Sequence, residues 1–210
     1  MKIQRGIISH QGRDYYQIAG LLLMVSCIQF FMAVFLAETQ YPGYSTAKNT
    51  LSSLGGTLPP VEPSATLFNL SIFLLGVLAL VSVYLILKSG GCRLFSTCLL
   101  LTGIGAMGVG LFPSYSPVEH AIFTFLTFFF GSLAVLFSYR LGLNIHMVIL
   151  STIMGLVPLS IIIGTLIFGF DNVIIRYLGI GGAERLVAYP LVIYIVALGG
   201  YLSNKGEDNV

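Results

Sequence analysis

The sequence is short of charged residues and contains no tryptophan. Charged side chains make up 9% of the chain, against roughly 25% in a typical soluble domain, while 56% of the residues are hydrophobic. A soluble core could not bury that much apolar surface, so a soluble globular fold is excluded. The formal net charge of +2 is too small to indicate a nucleic-acid partner.

The motifs of several well-known functional sites are missing as well. There is no His-Glu-x-x-His, no Gly-x-Ser-x-Gly, no phosphate-binding loop and no Cys-x-x-Cys. Cys27, Cys92 and Cys98 have no metal-binding spacing and are expected to act as small apolar side chains. The long apolar runs carry no ionisable residue near their middles, which argues against a proton pump or a charge-coupled transporter. We therefore expect no metal and no cofactor.

The chain does contain six long apolar segments, which are separated by short polar ones. A helix needs about 20 apolar residues to cross the hydrocarbon core of a bilayer. The segments are too long for the strands of a membrane barrel and lack their period-2 alternation. The sequence therefore predicts an all-α membrane protein, a single-domain bundle of six transmembrane helices over residues 17–37, 65–87, 92–112, 118–139, 145–168 and 186–203.

The basic residues predict the orientation of this bundle. With six spans, both termini lie on one side of the membrane, and the positive-inside rule makes the side richer in Lys and Arg cytoplasmic. Lys48, Arg176 and Arg185 then lie outside. We expect a multi-pass protein of the cell membrane whose cytoplasmic side carries both termini and the other seven of the ten basic residues, Lys2, Arg5, Arg13, Lys88, Arg93, Arg140 and Lys205.

The outer connections include the two longest, which makes that side the predicted place of a functional site. Residues 38–64 contain four prolines, which restrict the backbone and predict an ordered cap over the bundle. Residues 169–185 contain Gly179-Ile180-Gly181-Gly182, which predicts a loop with turns and mobility. The cytoplasmic connections, 88–91 and 140–144, are short and join antiparallel neighbours.

Small and polar residues recur at helical spacing in two of the segments. The third helix has Thr102, Ala106 and Gly110, one at every fourth position. Such residues share one face, and small side chains let helices approach closely in a membrane. We interpret both stripes as packing surfaces between helices; the stripe of the fourth helix consists of His120, Thr124, Thr127, Gly131, Ala134 and Ser138.

Glu119 and His120 stand where the fourth helix begins on the outer side. A carboxylate beside an imidazole can shuttle protons or activate water, which makes this pair the only catalytic candidate. Glu119 is equally well explained as a favourable negative charge at a helix N-terminus. Neighbours on a helix also point about 100° apart, so a direct contact between them is not implied. Catalysis is therefore left open.

Asn49, Ser52, Glu184 and Arg185 complete the candidate binding residues. Asn49 and Ser52 could hydrogen-bond a headgroup or cap a short helix. Glu184 and Arg185 could form an ion pair or bind a phosphate, or they could lie at the interface with their side chains extended to water. We predict that these groups meet His120 at the outer mouth of the bundle.

Several of these residues belong to a longer pattern. It consists of residues 42–45 (Pro-Gly-Tyr-Ser), 49–55 (Asn-Thr-Leu-Ser-Ser-Leu-Gly) and 110–113 (Gly-Leu-Phe-Pro), followed by His120 and Glu184-Arg185. In this pattern and in its six spans, the chain resembles the prokaryotic and archaeal membrane proteins grouped as domain of unknown function 998, over nearly its whole length.

A more distant likeness runs to the eukaryotic FRAG/DRAM/Sfk type of six-span proteins. The similar residues are 51–55, Glu62-Pro63 and Leu67-Phe68-Asn69. Both patterns commonly have an acidic residue where this chain has Ser53. The closer family implies no defined function, whereas the distant type is associated with lipid and lipid-anchor handling.

Two hypotheses follow. In one, the protein binds or handles a membrane lipid or lipid-linked headgroup at the outer leaflet. In the other, it is a non-enzymatic accessory or scaffold subunit, which packs against a partner protein or its own copies through glycine-rich helices. Polar residues gathered around one outer pocket would favour the first, and a small-residue groove facing lipid the second. The candidate ligand-binding residues of the first hypothesis are Asn49, Ser52, Glu119, His120, Glu184 and Arg185.

Overall fold

The computed structural model describes residues 10–204, with side chains from Asp14 onward, and this part of the chain contains no strand. All six long helices are long and apolar enough to cross a membrane, so the predicted all-α, six-span architecture is confirmed. The helices are α1 (His10–Thr39), α2 (Ser64–Lys88), α3 (Arg93–Leu111), α4 (Pro117–Phe137), α5 (Ile145–Phe168) and α6 (Val173–Asn204).

The two ends of the bundle differ in their connections. One end, here called the long-loop end, carries residues 40–63, 112–116 and 169–172; the other, the short-loop end, carries residues 89–92 and 138–144. Lys2, Arg5, Lys205 and the side chain of Arg13 lie outside the described residues. Which end faces the cytoplasm stays a prediction.

Local sequence explains several helix ends. Pro117 is the first residue of α4, where its missing N–H group would have had no helical partner anyway. The side-chain oxygen of Asn144 caps α5 by accepting the Met147 N–H group at 2.9 Å. Gly142, with a φ of 73°, ends the short 3-10 turn after α4. These ends orient the short connections between α3, α4 and α5.

The six helices form a closed ring. Each packs against the next one in sequence, α6 returns to α1, and α4 also contacts α6. Close backbone contacts hold neighbours together: a Cβ atom on Gly20 would lie 2.6 Å from the Gly199 carbonyl oxygen, and one on Gly76 would lie 2.5 Å from the Gly103 oxygen. Glycines therefore serve helix packing within the chain.

Two buried apolar clusters fill the ring. The one nearer the short-loop end includes Phe95 and Tyr194. The one nearer the long-loop end includes Phe30 and Phe68, and it also contains Leu54 from the connection between α1 and α2. That connection is consequently folded against the bundle rather than extended away from it.

The predicted stripe of α4 divides between two environments. Thr127, Gly131 and Ala134 are buried, and a Cβ atom on Gly105 of α3 would lie 2.6 Å from the Thr127 nitrogen. Thr124, one turn closer to the long-loop end, lines a groove instead, as does His120. Helix packing thus accounts for the inner part of the stripe and not for its outer end.

The prediction of a long loop at residues 169–185 is wrong. Only a short 3-10 turn, Gly169–Asp171, separates α5 from α6, which begins at Val173 and is interrupted at Gly179 (φ 74°, ψ 166°). A Cβ atom on Gly179 would lie 2.1 Å from the Ala47 carbonyl oxygen, and the Gly181 N–H group donates to that oxygen at 3.0 Å. These glycines let the first loop lie against α6, so their function is close contact.

Candidate functional site

Arg185 on α6 anchors the connection between α1 and α2. Its Nη2 atom lies 2.6 Å from a Glu38 carboxylate oxygen and 2.6 Å from the Tyr44 hydroxyl. Its Nη1 atom donates to the carbonyl oxygens of Thr46, at 2.9 Å, and of Asn49, at 3.0 Å. Both side chains of the ion pair are largely buried, with 10% of Arg185 and 21% of Glu38 exposed. We call Arg185, Glu38 and Tyr44 the arginine cluster.

The Tyr44 hydroxyl links this cluster to the next part of the loop. It donates to the Thr50 carbonyl oxygen at 2.8 Å and accepts from Arg185. Burial raises the pKa of Tyr44 to about 12, although the Arg185 guanidinium acts in the opposite direction. The phenol therefore stays protonated at neutral pH and keeps its donated hydrogen bond.

The side chain of Asn49 shapes the loop locally. Its oxygen accepts the Ser45 N–H group at 2.9 Å, and its backbone oxygen is bound by Arg185. Ser52 lies in the 3-10 turn that follows, and its hydroxyl donates to the Thr50 hydroxyl at 3.2 Å. Asn49 is thus occupied by the loop's own hydrogen bonds, while Ser52 lines the groove described below.

Glu184 precedes Arg185 on α6 and has different neighbours. One carboxylate oxygen accepts the Leu51 N–H group, and the Ser52 N–H group and hydroxyl also approach it. Among the described residues, the ion pairs are Arg185–Glu38 and Arg176–Asp171, so no cation contacts Glu184 directly, although the Arg185 guanidinium acts on it from a greater distance. The hydrogen bonds of this half-buried side chain therefore come from the loop.

His120 is held in one orientation by the end of α3. Its Nδ1 atom lies 2.8 Å from the Phe112 carbonyl oxygen. Because a carbonyl oxygen only accepts, Nδ1 must carry the proton, which leaves Nε2 of the neutral ring as an acceptor. Glu119 beside it is exposed and lies outside the residues that line the groove. Arg185 pairs with Glu38 rather than with Glu119.

A groove of about 520 Å³ runs along the outside of α4 at the long-loop end, with further walls from α5 and α6. We call it the α4–α6 groove. Its walls are apolar, with Phe125, Ile162 and Val187 as examples, and its polar lining includes Ser52, His120 and Glu184. The structure thus brings three of the six predicted ligand-binding residues to one groove and leaves Asn49, Glu119 and Arg185 outside it.

A smaller cavity of about 90 Å³ lies inside the ring next to this groove. Ser52, Thr124, Phe128 and Glu184 line both spaces, so these side chains form the boundary between them. The Thr124 hydroxyl is buried and has no hydrogen-bond partner within the described part of the chain. A buried hydroxyl without a partner is unfavourable, which marks this boundary as a place where a ligand atom could bind.

Sequence reasoning missed Thr124, Glu38 and Tyr44 as contributors to these two regions. Thr124 was assigned to packing, although it lies one helical turn from His120 on the same face. Tyr44 belongs to the motif at residues 42–45, which is the signal that could have identified it. Nothing in the sequence marks Glu38 as the partner of a residue so distant along the chain.

The donor atoms of the site do not form a typical metal-binding set. Among the side chains described, from Asp14 to Asn204, no group of three or more His, Cys, Asp or Glu is placed to hold a metal ion. The groove offers one carboxylate, one imidazole and several hydroxyl groups. These are groups that hydrogen-bond or pair with an organic ligand.

Comparison with known proteins assigns the chain to a family. The family model described as "Protein of unknown function (DUF998)" matches residues 24–201, which contain the four helices α2 to α5 completely, about half of α1 and nearly all of α6. No curated protein and no solved structure gives a significant match. The distant likeness to the FRAG/DRAM/Sfk type therefore stays a prediction. The matched range includes all three groove residues and the whole arginine cluster, and the chain belongs to the DUF998 family of proteins of unknown function.

Proposed function

We propose that this membrane protein binds a lipid or lipid-linked headgroup in the α4–α6 groove. The observation that carries the proposal is that one groove combines apolar walls with a polar set of Ser52, His120 and Glu184. Its volume of about 520 Å³ falls within the usual range of small-molecule sites. An acyl chain would lie along the walls, and the headgroup would face the polar set.

The groove opens towards the surface of the bundle, where a lipid could enter. Phe125 on α4 is 40% exposed and Leu166 on α5 is 67% exposed, and both line the groove. Transfer of an acyl chain from bilayer to groove gains little hydrophobic free energy, because both surroundings are apolar. Selectivity must therefore come from the polar set, and catalysis is not part of the proposal.

Groove-filling substitutions test the proposal. Ala121 lines the groove, whereas its neighbour Ile122 is 55% exposed and does not line it. The Ala121→Trp protein, purified gently, should carry less co-purifying lipid by mass spectrometry, and the matched Ile122→Trp protein should carry the normal amount. Equal lipid in both variants and the parent protein would contradict the proposal.

Replacement of His120 by Ala gives a second test. Under the proposal, the variant loses retained lipid, because Nε2 no longer contributes a hydrogen bond. If His120 only fixes the end of α3 through Phe112, thermal stability falls while the lipid stoichiometry stays the same. An unchanged lipid at unchanged stoichiometry would remove His120 from the site.

Location at the outer leaflet requires the predicted orientation. Lys48 at the long-loop end and Arg140 at the short-loop end are both exposed, so single cysteines placed there are accessible to reagents. In a background without Cys27, Cys92 and Cys98, an impermeant thiol reagent should label position 48 in intact cells and not position 140. Labelling at position 140 from outside would invert the topology and move the groove to the inner leaflet.

The scaffold alternative receives less support. It relied on glycine-rich faces that pack against a partner. Glycines within the spans, such as Gly20 and Gly76, instead contact neighbouring helices of the same chain. These glycines therefore pack helices within the chain and are not available to pack against a partner protein.

A further inference from the structure

The α4–α6 groove has an unbalanced charge. Glu184 is the one Asp, Glu, Lys or Arg side chain among the residues that line it within the described part of the chain. Arg185, the nearest basic residue along the chain, directs its guanidinium to Glu38, Tyr44 and the loop carbonyls. The groove therefore contains a carboxyl group, and no basic side chain of the groove contacts that group to hold it ionised.

The uncharged polar groups of the groove add further acceptors. In the neutral imidazole of His120, the contact with the Phe112 carbonyl oxygen places the proton at Nδ1, so the Nε2 atom has a free lone pair. The Ser52 hydroxyl already donates to Thr50 and retains its own lone pairs. The Thr124 hydroxyl is buried without a hydrogen-bond partner at the boundary with the inner cavity. A ligand that donates several hydrogen bonds fits this set better than a ligand that accepts them.

We propose that the α4–α6 groove selects a phospholipid whose headgroup ends in a primary ammonium group, with Glu184 facing the ammonium. This inference rests on the proposed function and assigns its ligand class. A carboxylate among apolar side chains is unfavourable without a cation partner, and a bound ammonium supplies one with N–H donors for the neighbouring acceptors. An anionic headgroup would instead bring a like charge next to Glu184.

An ammonium ligand differs from the phosphate ligand that the Glu184-Arg185 sequence suggested. A phosphate site needs a guanidinium or ammonium donor that is free to turn towards the ligand. Five acceptors already hold the two terminal nitrogens of Arg185, namely Glu38, Tyr44 and the carbonyl groups of Thr46, Asn49 and Gly181. Within the described residues, its Nε atom has no hydrogen-bond partner, but that atom is buried. The group that remains available at the groove is the carboxyl group of Glu184.

Three lysolipids with one common acyl chain test the inference in delipidated, detergent-purified protein. The headgroup of lysophosphatidylethanolamine has a positively charged nitrogen with N–H donors. That of lysophosphatidylcholine has a positively charged nitrogen without N–H donors. That of lysophosphatidylglycerol has no positive charge and is anionic. Dissociation constants measured by native mass spectrometry should rise in that order. A charge-assisted hydrogen bond predicts a difference of about tenfold or more between the first and the last.

Glu184→Gln should abolish this preference while the acyl chain still binds. Its amide oxygen can still accept the Leu51 N–H group, so the loop contact is retained. Glu62→Gln is the matched control, because the Glu62 carboxylate also accepts a backbone N–H group, from Thr66 at 3.1 Å, but does not line the groove. The control should keep the order of the three dissociation constants.

The failures of the two proposals are distinguishable. Equal binding of the ethanolamine and glycerol lysolipids to the parent protein would overturn the ammonium assignment, and this comparison needs no variant. If Ala121→Trp still weakened all three lysolipids in that case, the groove would remain a lipid site. If no lysolipid bound, or if Ala121→Trp had no effect, the proposed function itself would fail.

Discussion

Glu184 and Arg185 are neighbours in the sequence but serve two contrasting regions of the molecule. Side chains of successive helical residues point about 100° apart, so one faces the α4–α6 groove and the other faces the loop between α1 and α2. The Arg185 guanidinium donates to Glu38, Tyr44 and three carbonyl oxygens. Glu184 has loop donors and no cation. A paired polar group stabilises the fold, whereas an incompletely paired one remains available for a ligand.

Replacement of Arg185 should change the stability of the protein more than any other substitution proposed here. In Arg185→Ala, the Glu38 carboxylate loses its partner while it remains mostly buried, which should lower the free energy of unfolding by about 3–5 kcal/mol. Reaction of the buried thiols Cys27 and Cys98 with a fluorescent maleimide during heating reports this change. Arg176→Ala breaks an exposed ion pair and should leave the melting curve nearly unchanged.

Limited proteolysis of the parent protein and of Arg185→Ala measures the effect on the first loop alone. In the parent protein, residues 46–57 should remain largely uncut, because the loop buries Leu51 and Leu54 and is bound by Arg185. In Arg185→Ala, cleavage in this segment should precede cleavage elsewhere. Rapid cleavage of the parent protein there would contradict an ordered cap.

Substitution of Gly181 on α6 should also weaken the contact between the first loop and α6, but with a smaller loss of stability. A Cβ atom on Gly181 would lie 2.2 Å from the Asn49 carbonyl oxygen and 2.4 Å from that of Thr46, the two loop oxygens that Arg185 binds. Gly181→Ala should therefore destabilise the protein by roughly 1–3 kcal/mol through overpacking. At Gly200 a Cβ atom would meet nothing within 4 Å, so Gly200→Ala should not lower the melting temperature.

The smallest stability effect is expected on the groove side. Thr124→Val removes a buried hydroxyl that has no partner, so stability should stay equal or rise by about 1 kcal/mol. Retention of lipid should fall, because the hydroxyl would no longer reach the headgroup. Thr152→Val is the control: its hydroxyl bonds to the Val148 carbonyl oxygen outside the groove, and lipid retention should be normal. A marked loss of stability in Thr124→Val would make this hydroxyl structural.

The sequence predicted the helices well but one connection poorly. Apolar length identified all six helices. The glycines at residues 179–182 were interpreted as a mobile loop, whereas Gly179 and Gly181 give the first loop room to lie against α6. Glycine composition indicates freedom of the backbone, but only the packed chain decides whether that freedom is used for a turn or for a close contact.

The candidate site shows the same division. His120 and Glu184 were identifiable as polar residues in or beside apolar segments, and Ser52 as part of the motif at residues 49–55. The structure gathers all three in one groove. Arg185 was also identifiable, but its partner Glu38 is 147 residues away, and that separation hides the ion pair from any local pattern. The phosphate-binding interpretation of Arg185 depended on a free guanidinium, which the loop occupies.

The sequence by itself determined a six-helix membrane protein and predicted that its candidate site residues lie towards one end of the bundle. It could do so because a bilayer requires each backbone segment to satisfy its own hydrogen bonds. The length of a local apolar segment is therefore enough to predict a membrane-spanning helix. Tertiary structure decided which polar residues share a groove and which lock a loop. That outcome depends on the helical rotation of each side chain and on contacts between distant segments, such as the one that carries Thr46 to Arg185 across 139 residues.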